Sequence, residues 1–113
     1  MSLGGLLAKL AGGGVPTIEH DDFARVVADK SAAIVDVREP HEFAAGHVPG
    51  AINLPLSSFA PSQLPNGRPV VLICQAGRRS AKALKQALEA GVKDIRHYAS
   101  GASGWQSGGG ATE

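Results

Sequence analysis

The chemistry most open to this chain lies in one run, Cys74-Gln75-Ala76-Gly77-Arg78-Arg79-Ser80. Cys74 is the only cysteine, so it has no partner for an internal disulfide, and no Cys/His spacing resembles a metal site. The thiol is therefore either an inert part of the core or a chemical tool. Free cysteines are commonly buried, and one that ends a strand is by itself ordinary core. The residues after it argue otherwise. Gly77 is free to take a positive φ or to bring its backbone against a ligand, which lets the loop's N–H groups converge on the sulfur. A helix starting after the loop would turn its positive end to the same point. Arg78, Arg79, Lys82 and Lys85 lie between Cys74 and Leu88 with no acidic residue among them. Such surroundings stabilise the thiolate, the reacting form of cysteine, and favour an approaching anion. A thiolate so placed can attack a sulfane sulfur and hold it as a persulfide.

Positioning that loop requires a scaffold, and the hydrophobic pattern supplies an α/β domain with a mainly parallel sheet. Five runs read as strands: Val15 to Ile18, Ala32 to Val37, Ala51 to Leu54, Val70 to Ile73 and Ile95 to Tyr98. The second is continuously apolar up to Asp36, as expected of a strand covered on both faces. The fourth leads straight into Cys74, placing the cysteine at the carboxyl end of a strand, where open α/β sheets gather ligands. Phe23, Val26 and Val27 share a helical face after the first strand, with Asp21 and Asp22 suited to its first turn. From Arg79 to Ala90, a second helical face carries Ala81, Leu84, Ala87 and Leu88, with Gly91 as its C-terminal stop. Ser100 to Trp105 reads as a turn into a short final helix whose Trp105 packs on the sheet.

The chain's 113 residues suit one core, and 43% hydrophobic against 19% charged residues is an ordinary globular balance. A formal charge of +1 gives no global field for nucleic acid or an anionic membrane, so any anion must be recognised locally. Lys9 interrupts the short apolar run near the start, which is too short to span a bilayer and has no basic region before it. The reading is a cytoplasmic protein with a flexible or docked leader at 1–14, a domain at 15–106, and a Gly-rich tail at 107–113.

The stretch from Asp36 to Pro55 resembles the first signature of rhodanese-like domains. Asp36 and Arg38 follow a strand, Glu42 and Phe43 come four and five residues beyond Arg38, and then come Gly46-His47, Gly50, and Asn53 before Pro55. Cys74 to Ser80 resembles the catalytic loop in its Cys-x-x-Gly-x-Arg-Ser form, found in small single-domain sulfurtransferases. Ser100-Gly101 and Trp105 are similar to the family's terminal Gly-Gly and Trp, with Ser100 in place of the first glycine. The resemblance covers roughly 15–105 and implies a three-layer α/β/α fold with a five-stranded parallel sheet of order 1-5-4-2-3. It implies a two-step cycle in which Cys74 takes sulfur from a donor such as thiosulfate, then passes it to cyanide, a thiol or a sulfur-acceptor protein. No metal or organic cofactor is implied. By the same resemblance, the backbone of Gln75, Ala76, Gly77, Arg78, Arg79 and Ser80 holds the persulfide. Arg79 neutralises the donor anion and Arg78 assists at the mouth. Asp36, Arg38, Glu42 and His47 are expected to brace the loop after the second strand rather than to react, since a thiolate needs no general base.

Two rivals stand beside that reading. Phosphatases and arsenate reductases of related folds use Cys-x5-Arg, but here Arg79 lies five residues beyond Cys74 and Ser80 six, and Ile73 stands where those enzymes usually carry His. A non-catalytic binding module of the same fold typically lacks the cysteine. A protein-to-protein sulfur relay remains compatible with every residue named.

Overall fold

The computed structural model describes residues 10–11 and 14–113, so most of the expected leader lies outside the described residues. The main sheet is parallel and four-stranded: β3, Ala33–Asp36; β4, Ile52–Asn53; β5, Val70–Ile73; and β6, Ile95–His97, in the order β4-β3-β5-β6. This is the expected arrangement less its first strand. That strand, β2 at Val15–Pro16, instead pairs antiparallel with β1 at Leu10–Ala11. It reaches the sheet only through a parallel bridge between Thr17 and His97, where the Ile18 N–H donates to the His97 carbonyl at 3.1 Å. The five-stranded sheet is therefore corrected to four strands with a neighbouring bridge. The reason is local: residues two apart point their N–H groups to the same edge, and two residues before Ile18 stands Pro16, which has no N–H to donate.

β5 is central and buried along its whole length. Its pleat divides two cores. Leu72 and Cys74 join Val35 and Val37 beneath α3, Arg78–Glu89, whereas Val71 and Ile73 join Ile34 beneath Phe23, Tyr98 and Trp105. Phe23 belongs to α1, His20–Asp29, and stacks on Tyr98 with centroids 4.2 Å apart. Trp105 belongs to α4, Gly101–Ser107, and meets Phe23 edge-on at 5.3 Å. The buried face of α3 is Ser80, Ala83, Leu84 and Ala87, so it is rotated from the expected one. Leu88 is 39% exposed. The rotation brings a hydroxyl, Ser80, into the core beneath the cysteine loop.

A short helix not anticipated from the sequence, α2 at Pro40–Ala44, follows β3. Glu39 and Glu42 form its capping box and Pro40 opens its first turn, both ordinary N-terminal signals. The tail folds back on the domain. The Trp105 Nε1–H donates to the Ala111 carbonyl at 2.7 Å, and the Glu113 N–H to the His47 carbonyl at 2.8 Å. Among the described residues, no helix is long and apolar enough to cross a membrane.

Candidate active site

β5 ends at Ile73, level with Asp36 of β3, and Asp36 is in turn level with Asn53 of β4. This shared register gathers the cysteine loop and the Asp36–Pro55 stretch at the carboxyl edge of the sheet. Cys74 is 1% exposed and follows directly. The chain then turns through Gly77, whose φ of 98° lies in the left-handed region and whose missing Cβ would stand 2.4 Å from the Ala99 carbonyl oxygen. Only glycine satisfies both conditions. Its N–H, turned inward, donates to Cys74 Sγ at 3.1 Å. The sulfur thus sits in the bend that opens α3, where the unpaired amides and the helix dipole favour negative charge.

The loop is held from behind by α4. The Ala102 N–H donates to the Cys74 carbonyl at 2.8 Å and the Ser103 N–H to the Gln75 carbonyl at 3.1 Å. Such close approach depends on Gly101, with φ of 66° and a would-be Cβ only 2.4 Å from the Gln75 oxygen. Ser100 takes an ordinary helical conformation, so the departure from the family's glycine pair is harmless at that position. The Gln75 side chain donates to Ser103 Oγ at 2.7 Å and accepts from Arg38 Nη1 at 3.2 Å.

Arg38 is buried and forms the hub of the facing wall. Its Nε donates to both Asp36 oxygens at 3.1 Å, and its Nη2 donates to Asp36 Oδ2 at 2.8 Å and to the Gly46 carbonyl at 2.9 Å. Asn53 Nδ2 donates to the Asp36 and Arg38 carbonyls at 2.9 Å each. Every arm of this buried pair thereby has a partner, which a buried charge requires.

Glu42 on α2 receives two parallel bonds from Arg79, Nη1 to Oε1 at 2.7 Å and Nη2 to Oε2 at 3.0 Å. The Arg79 hydrogen bonds pull the Glu42 carboxyl from 4.5 down to about 2. Glu42 likewise raises the Arg79 pKa, with a smaller push from the charge of Cys74. Arg79 is thus engaged as a brace between α2 and α3 whose field also reaches the sulfur. His47 stacks on Phe43 with centroids 3.7 Å apart, and its Nδ1 lies 2.9 Å from the Phe43 carbonyl. Arg78 is exposed and lines an open depression of about 380 Å³ with Ala76, Gly77, Ala81, His97 and Ala99.

Two polar side chains at the site lay outside the sequence reading, Ser103 and His97. His97 is 2% exposed, and its Nδ1 stands 2.8 Å from Ser80 Oγ, which in turn stands 3.5 Å from Cys74 Sγ. The available signal was its place at an inward position of the strand Ile95–His97, where an apolar residue is the rule.

Residues 19–108 match the family model described as a rhodanese-like domain. The protein slr1261 of Synechocystis is 47% identical over 95 residues, an alignment covering 82% of this chain and 53% of that protein. The chain therefore spans about half that relative's length. A sulfurtransferase of Allochromatium vinosum is 31% identical over 94 residues, covering 80% of this chain and 88% of the relative. Among solved structures, the human single-domain sulfurtransferase TSTD1 superposes with a TM-score of 0.71 at 28% identity, covering 83% of this chain and 97% of that one.

Proposed function

This chain belongs to the rhodanese-like family of sulfurtransferases, and from that premise we propose that Cys74 carries a sulfur atom as a persulfide between an anionic donor and a thiophilic acceptor. The observation that carries the reading is the seat of Cys74 Sγ under the Gly77 amide, 3.1 Å away, at the N-terminus of α3. A bend of this kind holds an anionic sulfur by dipoles already in place.

With thiosulfate as donor, the Cys74 thiolate attacks the outer, sulfane sulfur. A bond forms between Sγ and that sulfur while the bond to the sulfonate sulfur breaks, and sulfite leaves with the electron pair. The product is a Cys74 persulfide anion, so charge is conserved and no proton moves. In the second step, cyanide or a thiolate attacks the terminal sulfur, the S–S bond breaks, and the Cys74 thiolate returns as thiocyanate or an acceptor persulfide departs. Arg78, exposed at the mouth of the depression, meets the donor anion. Arg79 acts at longer range because its guanidinium is bonded to Glu42. Gln75, Ala76, Gly77 and Ser80 complete the cradle, and Asp36, Arg38, Glu42 and His47 brace it.

A sulfur relay from one protein to another is the second reading. The depression beside the loop is open rather than enclosed, so a partner protein has room to rest against the loop's outer face. Under either reading the cycle needs no metal or organic cofactor, and the domain works from 15–106.

Intact-protein mass spectrometry tests the proposal. Wild-type protein incubated with thiosulfate is expected to gain one sulfur atom and to lose it on adding cyanide, as thiocyanate appears. The Cys74→Ala variant should gain none. A wild-type protein that stays unloaded would remove thiosulfate as donor and leave the relay.

A further inference from the structure

Ser80 and His97 extend inward from the reacting sulfur as a chain of polar contacts through the core. Cys74, Ser80 and His97 are all at least nine-tenths buried, and the contacts run from Sγ to Ser80 Oγ at 3.5 Å and from Ser80 Oγ to His97 Nδ1 at 2.8 Å. They join the end of β5, the first turn of α3 and the end of β6. A histidine and a serine side by side at inward positions otherwise filled by apolar residues call for a physical reason.

The ring's far side supplies a second observation. His97 Nε2 is buried with no hydrogen-bond partner among the described residues. Burial pushes the His97 pKa down, so the ring is neutral at neutral pH and carries one N–H. A buried N–H without an acceptor is rarer than an under-used lone pair. The hydrogen therefore belongs on Nδ1, where it donates to Ser80 Oγ. That leaves the Ser80 hydroxyl hydrogen a choice between the Gly77 carbonyl at 3.3 Å and Cys74 Sγ.

We propose that His97 is a positioning residue for sulfur transfer: its Nδ1–H occupies the Ser80 oxygen, so that the Ser80 hydroxyl turns its hydrogen to Cys74 Sγ whenever that sulfur is anionic. This rests on the reading of Cys74 as the nucleophile. While Cys74 is a thiol, its S–H donates to Ser80 Oγ and the serine hydrogen points to the Gly77 carbonyl. When the thiol proton leaves to solvent, the serine hydrogen swings to the thiolate, a charge-assisted contact and thus a stronger one. The same contact forms again at the end of the second step, when the S–S bond breaks and the thiolate is the leaving group. A better-stabilised leaving thiolate departs faster. The other charged groups around the loop are Arg78 and Arg79 on α3, Glu42 on α2, and the Asp36–Arg38 pair. Among the described residues, only the Gly77 amide and the Ser80 hydroxyl are hydrogen-bonded to the sulfur.

The test is alkylation of Cys74 by iodoacetamide as a function of pH, which counts thiolate and needs no sulfur donor. It therefore reads the relay independently of whether thiosulfate loads the protein. In Ser80→Ala and His97→Leu the rate at pH 7 should fall about tenfold, the effect of losing one hydrogen bond to a charged group, with the profile displaced to higher pH. The double variant should fall no further than either single one, because the two residues act as a unit. His97→Asn, whose side-chain amide can donate from near the Nδ1 position, should recover most of the rate. A merely structural role for His97 predicts the opposite sign, since loosening the loop exposes the buried thiol and speeds alkylation. The proposal is overturned by a folded His97→Leu protein that reacts at or above the wild-type rate, or by losses that multiply in the double variant. Should His97→Leu fail to fold, a Ser80→Ala protein that reacts at the wild-type rate, or a His97→Asn protein as slow as Ser80→Ala, overturns it equally.

Discussion

Replacing Gly101 by alanine isolates the contact on which the cysteine loop rests. Its φ of 66° obliges an alanine to adopt the left-handed conformation, at about 1–2 kcal/mol. The new Cβ would also stand 2.4 Å from the Gln75 oxygen and 2.7 Å from the Cys74 oxygen. Both are backbone atoms that cannot rotate aside, so overpacking adds about 1–3 kcal/mol. Gly91 provides the control: its φ is 88°, but nothing lies within 4 Å of its would-be Cβ. Gly91→Ala should therefore lose only the conformational part, and the stiffening of the unfolded chain is the same in both variants. Urea unfolding of the two variants against wild type should give Gly101→Ala the larger loss by about 1–3 kcal/mol, the overpacking alone. In addition, the folded fraction of Gly101→Ala should load sulfur poorly, because relief of the clash pushes the Cys74 and Gln75 carbonyls off the α4 amides. Equal losses in the two variants would refute the reasoning, as would a destabilised Gly101→Ala protein that loads sulfur normally.

Glu42→Gln should destabilise the domain by about 1–2 kcal/mol, a value reduced because the pair is partly exposed. Since Arg79 holds the Glu42 carboxyl at about 2, its contribution is in place above the ordinary carboxylate range and fades as pH falls from about 4.5 toward about 2. Acid titration of wild type against Glu42→Gln should show their stabilities converging across that window; a gap that persists at its acid end would refute the assignment. Asp36→Asn leaves Arg38 buried beside a neutral partner and should cost about 3–5 kcal/mol, read from the urea midpoint. Arg78→Ala should raise the KM for thiosulfate several-fold with little change in kcat, and the difference should shrink in high salt as the exposed charge is screened; an unchanged KM would move donor recognition elsewhere on the loop.

The position of the cysteine loop at the end of a buried strand is legible in the sequence because it is contiguous: a buried strand, a cysteine, a glycine and two arginines follow one another within a few residues. Its supports were harder to read. Arg79 and Glu42 are 37 residues apart and Ser80 and His97 are 17 apart, and nothing in composition or periodicity says which arginine meets which carboxylate. The resemblance assigns Arg79 to the donor anion and says nothing of its bidentate pair with Glu42, which only the structure reveals. The strand at Val15–Pro16 shows a different limit. Its apolar character was plain, but one missing N–H at Pro16 decides whether it completes a ladder, and a hydrophobic pattern does not register that. In α3 the helical period was right and its phase was not, because the polar Ser80 faces inward, 3.5 Å from Cys74 Sγ, and a pattern of apolar residues places it outside.

The 1% exposure of Cys74 also bears on how the protein ages in an oxidising medium. A disulfide requires two sulfurs about 2.05 Å apart, with the attached backbones within about 7 Å. Two copies of this chain cannot meet that requirement while each sulfur lies beneath its own loop. Self-crosslinking is thus blocked by shape rather than by chemistry. Under the proposed persulfide cycle, the same enclosure would favour acceptors that present their attacking atom on a slender or protruding group.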